Sequence, residues 1–100
     1  MLHTVNKSPF ERKAFENCLR TAVPGDAILL IEDAVFAAMQ GTAFATTAAK
    51  AAQDFKLYVL GNDLIARGMD HGKVVAGIAV VDYGGFVDLT AEHSVVQSWL

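Results

Sequence analysis

The sequence predicts an α/β fold, a small three-layer α/β/α domain in which a mainly parallel sheet of about four strands is covered by helices, with residues 1–100 forming one domain. Three observations predict it. Ala27 to Ile31 (AILLI) is an unbroken apolar run closed by Glu32-Asp33, the pattern of a strand buried on both faces at the centre of a parallel sheet. Lys56 to Leu60 (KLYVL) and Val74 to Val81 (VVAGIAVV) are two further runs rich in β-branched residues, each ending at turn-forming residues. Between the runs lie segments with helical periodicity.

In chain order, Leu2 to Val5 reads as a first short strand. Ser8-Pro9-Phe10-Glu11 then carries the pattern of a capping box with proline at the first helical position. From there Phe10, Ala14, Cys18 and Ala22, with Phe15 and Leu19, form one apolar stripe, and Pro24-Gly25-Asp26 ends the helix. After the central strand, Asp33 is a candidate cap and Gly41 a candidate terminator for a helix from Ala34 to Gln40 that is apolar on every side and therefore must be covered all round. Thr42 to Asp54 predicts an alanine-rich helix, Leu57 to Leu60 a third strand, and Leu64 to Arg67 a single turn stopped by Gly68. The fourth strand is expected in the second half of Val74 to Val81, because Ala76-Gly77 weakens the first half. Asp82-Tyr83-Gly84-Gly85 is read as a turn into Phe86 to Glu92, and Ser94 as the cap of a last helical turn ending at Trp99-Leu100.

Composition narrows the functional classes. Hydrophobic residues make up 53% and charged residues 19%, against roughly 45–50% and about 25% in ordinary domains. A chain of this size has little interior in which to hide the excess, so part of the surface is expected to be covered by partner chains. The net charge of −3 without a basic cluster argues against direct nucleic-acid binding. No apolar run approaches the ~18 residues of a membrane span, and the start lacks a charged, apolar leader pattern. A cytoplasmic location is expected, in keeping with a lone cysteine that has no internal disulfide partner.

In open α/β sheets ligands bind beyond the carboxyl ends of the strands. Those ends carry Asn6-Lys7-Ser8, Glu32-Asp33, Gly61-Asn62-Asp63 and Asp82-Tyr83-Gly84-Gly85. Neither glycine-rich phosphate fingerprint occurs, so no cofactor is expected. Oxygen ligands from Glu32, Asp33 and Asp82 would suit a divalent ion, although caps and strand ends explain the same carboxylates. His3, His71 and His93 have no ligand spacing. Trp99 reads as packing or interface. Cys18 is the candidate nucleophile, yet its place within the apolar stripe points to a buried thiol, and burial makes a thiol inert.

The opening Leu2-His3-Thr4-Val5-Asn6-Lys7-Ser8-Pro9-Phe10, the segments Leu29 to Asp33, Tyr58-Val59-Leu60 and Asp63 to Gly68, and the block Val81 to Thr90 together resemble the DsrH/TusB family over essentially the whole chain. The resemblance implies a subunit of a heterohexameric sulfur-relay complex, built with DsrE/TusD-like and DsrF/TusC-like chains. Such a complex hands persulfide sulfur to a DsrC/TusE-like carrier, for 2-thiolation of the tRNA wobble uridine or for sulfur oxidation. The principal sulfur-carrying cysteine belongs to the DsrE/TusD-type chain. DsrH-type members have a first-helix cysteine where this chain has Cys18; its presence and the opening Val5-Asn6-Lys7-Ser8-Pro9-Phe10 favour the DsrH side, and the resemblance makes Cys18 a candidate persulfide carrier. The other reading of the residues is a stand-alone small α/β ligand- or metal-binding domain.

Overall fold

The computed structural model describes residues 1–100 as β1 (Leu2–Val5), α1 (Ala14–Thr21), β2 (Ala27–Leu30), a 3₁₀ segment (Glu32–Ala38), α2 (Ala45–Asp54), β3 (Lys56–Leu60), α3 (Gly61–Ala66), a 3₁₀ turn (His71–Lys73), β4 (Ala79–Val81), α4 (Tyr83–Glu92) and β5 (Val96–Trp99). The sheet has five strands in the order β4-β3-β2-β1-β5. Every pairing is parallel, with Leu2 opposite Ala27 and Val96, and Leu30 opposite Val59. The parallel α/β expectation holds, with one strand more than expected.

The order explains how the layers fill. From β1 to β4 each crossover steps in the same direction, and right-handed connections then keep their helices on one face. That face is sealed. Val5, Ile28, Leu30, Leu57 and Val59 pack under Ala14, Phe15 and Cys18 of α1, Ala34 to Ala38, and Ala48 and Ala51 of α2 in one cluster of 18 buried residues. Only the return from β4 to β5 travels back across the sheet, so α4 alone covers the second face. There a cluster of four buried residues joins Leu2, Ala27 and Leu29 to Leu89.

Four local expectations need correction. The capping box at Ser8 closes a turn rather than a helix: Ser8 Oγ accepts from the Phe10 amide at 3.2 Å, and α1 begins at Ala14. Phe10, which precedes α1, is not part of the stripe; it meets Phe44 edge-on, centroids 5.1 Å apart, and stays largely exposed. The segment after β2 is 3₁₀, with no side-chain cap from Asp33; Ala34, Val35, Ala37 and Ala38 are nonetheless fully buried, as an all-apolar segment requires. Gly84 and Gly85 belong to the first turn of α4, where Asp82 Oδ1 accepts from the Gly85 amide at 2.8 Å. Lastly, the residues after Ser94 form β5 rather than a helical turn, hydrogen-bonded to β1 through Leu2 N–Val95 O and Asn6 N–Trp99 O.

Candidate functional site

The carboxyl ends of the strands assemble the residues that the sequence singles out, and most of them are occupied structurally. Glu32 leaves β2 with φ +51°, in the left-handed region that a residue with a Cβ seldom adopts. Its amide donates to Asp63 Oδ2 at 2.6 Å, which holds the bend. Arg67 donates through Nε to Asp33 Oδ1 at 3.0 Å and lies 3.7 Å from Asp63, its partner one helical turn earlier. Asp82 caps α4. Asp33, Asp63 and Asp82 each have a local task, Glu32 alone keeps its side chain uncommitted, and no three His, Cys, Asp or Glu side chains gather as a metal site. Asn6, at the end of β1, has a buried Oδ1 without a hydrogen-bond partner.

A shallow cleft of about 330 Å³ opens beside these ends, lined by Gly61, Asn62, Ile65, His71, Val80 and Asp82. A Cβ on Gly61 would meet Val80 Cγ1 at 3.0 Å and His71 Cε1 at 3.3 Å, so a larger residue there would need both side chains to give by a few tenths of an ångström. The cleft is mostly a meeting of apolar walls, with no charged pair aimed into it.

Cys18 lies away from that crest, on the buried side of α1. It is 0% exposed within the main core, and its thiol is free. Burial, and secondarily the negative charge of Asp26, push its pKa up to about 12. The nucleophile in sulfur exchange is the thiolate. Relative to a thiol of ordinary pKa 9.0, the thiolate population at neutral pH is reduced by about a thousandfold, before access is counted.

Composition and spacing gave no hint of a second polar feature. His3, buried in β1, bonds through Nε2 to Asp26 Oδ2 at 2.9 Å, and Trp99 Nε1 donates to His3 Nδ1 at 3.1 Å. Asp26 also accepts from the Val23 amide at 3.1 Å and from the terminal ammonium of Met1 at 3.3 Å. These bonds, the one from His3 foremost, hold its carboxyl down at about 2. The signal was hidden because it depends on β5 lying beside β1, a pairing that no local pattern encodes.

The family model described as DsrH like protein matches residues 7–96. The TusB protein of Shigella flexneri is 39% identical over 99 residues, covering 99% of this chain and all of that one. A TusB protein of Escherichia coli matches with the same identity and coverage. Among solved structures, the ychN protein of Escherichia coli superposes with a TM-score of 0.82 at 17% identity, over 98% of this chain and 97% of that chain. A protein of unknown function from Methanobacterium thermoautotrophicum gives 0.74 at 16%, over 97% and 95%. At such identities the structural likeness concerns the fold alone.

Proposed function

The chain belongs to the family of DsrH-like proteins, and on that premise we propose that it is a subunit of a sulfur-relay complex that shapes the docking surface while a sister chain carries the sulfur. The observation that carries this reading is the state of its only cysteine. A persulfide carrier must present a thiolate that attacks the terminal sulfur of a donor persulfide, forms a new S–S bond and releases the donor as its thiolate. Cys18 is fully buried and its thiol is held neutral, with a pKa of about 12, so it suits the core.

The partners in this reading are DsrE/TusD-like and DsrF/TusC-like chains in a heterohexamer, with a DsrC/TusE-like protein as acceptor. Two features support a partner surface. Tyr83 and Val87 on the outer side of α4 are 58% and 63% exposed, and Val95 and Val96 beside β5 are also open, which places part of the apolar excess on the face that one helix covers. The 39% identity to proteins named TusB over their whole length favours the tRNA-thiolation branch over sulfur oxidation.

Reconstitution with the sister chains and a persulfide donor tests the proposal by intact mass. The expected result is added sulfur on the DsrE/TusD-like chain and none on this one, with transfer to the acceptor unchanged by Cys18→Ser. Sulfur on this chain that disappears in Cys18→Ser would make it a carrier and overturn the proposal.

A further inference from the structure

The chain Trp99–His3–Asp26 fixes the tautomer of a neutral buried histidine. An indole N–H can only donate. With Trp99 Nε1 3.1 Å from His3 Nδ1, Nδ1 must offer its lone pair, and the ring proton of neutral His3 must sit on Nε2, from which it donates to Asp26 Oδ2 at 2.9 Å. The two partners respond oppositely to a second proton. An imidazolium has N–H on both nitrogens. At Nε2 the existing bond to Asp26 becomes charge-assisted and stronger. At Nδ1 the new N–H confronts the indole N–H, and that bond is lost.

We infer that His3 is a proton-sensitive latch on the edge strand β5: neutral, it ties Trp99 and with it β5 to β1; protonated, it keeps Asp26 and lets Trp99 go. Besides this latch, the strand is held by a four-residue parallel ladder to β1 and by the Thr4–Ser98 hydroxyl contact at 3.3 Å. β5 pairs on one side only, with β1, and Val96, Gln97 and Ser98 are exposed. Past the end of the ladder, the bond Asn6 N–Trp99 O is 3.5 Å long.

The groups around His3 leave few other sources of charge. Asp26 precedes β2 and is shared with the Met1 ammonium. From α1 the titratable group that senses Asp26 is Cys18, a neutral thiol, while Glu16 and Arg20 are exposed. The register neighbours of His3, Ile28 in β2 and Gln97 in β5, are uncharged. Asp26, held at about 2, stays ionised and keeps its bond to Nε2 while the latch operates.

Nitrogen NMR of the full-length chain, combined with amide-exchange protection factors between pH 8 and 4, tests this. Neutral His3 is expected as the Nε2–H tautomer. As it takes up a proton, the indole N–H resonance of Trp99 should shift, and protection at Leu2 and Asn6, which donate to the β5 side, should fall by about threefold to tenfold, the worth of one hydrogen bond. In Trp99→Phe, protection should already be low and no longer follow His3. An Nδ1–H tautomer, a His3 that stays neutral until the chain unfolds, protonation without change at the indole and these amides, or wild-type protection in Trp99→Phe would each overturn the inference.

Discussion

The two faces of the sheet are made from the same strands and are finished very differently. On one face, side chains alternating along β1, β2 and β3 meet three connections and disappear into an 18-residue core. On the other, the intervening side chains meet one helix, and the buried apolar cluster has four members, Leu2, Ala27, Leu29 and Leu89. The cause is topological. Three crossovers moving the same way stack on one side, and a single long return is all that the other side receives. Exposed apolar side chains also occur elsewhere, at Phe10, Val23 and Ile65, but Tyr83, Val87 and Val96 belong to the thinly covered side. A face finished this way is closed by something outside the chain more readily than by the chain itself.

Core truncations should separate the faces. Phe15, fully buried where α1 meets the first face, is expected to cost about 3–5 kcal/mol as Phe15→Ala in denaturant unfolding, because the close-packed surroundings cannot collapse into the space. Leu89→Ala on the second face should cost less, about 2 kcal/mol, the low end for such a change, because α4 can settle onto the sheet from a side open to solvent. Equal losses would mean that the second face is as rigidly packed as the first, and the comparison would fail.

Asp26 supplies the next test, and the sign follows from its lowered pKa. A carboxylate depressed from 3.8 to about 2 in the folded state adds stability that is present above pH ~4 and is lost as pH falls toward 2. The loss amounts to about 2 kcal/mol, undiminished by solvent because the side chain is 10% exposed. Acid titration of Trp99 fluorescence should show it, and Asp26→Asn should remove that acid dependence while lowering stability at neutral pH. An acid limb unchanged in Asp26→Asn would assign the dependence to the exposed carboxylates instead.

What the sequence made legible follows the same division. The first face announces itself through unbroken apolar runs and the stripe of α1, since burial on both sides leaves a local trace. The second face leaves little trace. β5 reads as a helical turn because Val96, Gln97, Ser98 and Trp99 alternate only weakly and the strand has a single neighbour, 94 residues away at Thr4–Ser98. Ser8 shows the reverse error: its capping pattern is genuine chemistry, satisfied by the Phe10 amide, yet it closes a turn and α1 starts only at Ala14. At the site, the burial of Cys18 was legible from its spacing. The His3–Asp26–Trp99 chain was not, since it joins three segments that only the finished sheet brings together.

The smallest effect is the most informative about the open face. Val87→Ser on the outer side of α4 removes apolar surface that is already 63% in water, so the isolated chain should lose no more than ~0.5 kcal/mol. Helix propensity changes little between valine and serine, which leaves hydration as the only other term. Thermal unfolding of the chain alone should then superimpose on wild type. In the complex of the proposed function, the same substitution should weaken co-purification with the sister chains, because there the side chain would lie in an interface core where apolar contacts count. A destabilised isolated chain would show instead that α4 already packs on both of its sides, and the second face would need no partner.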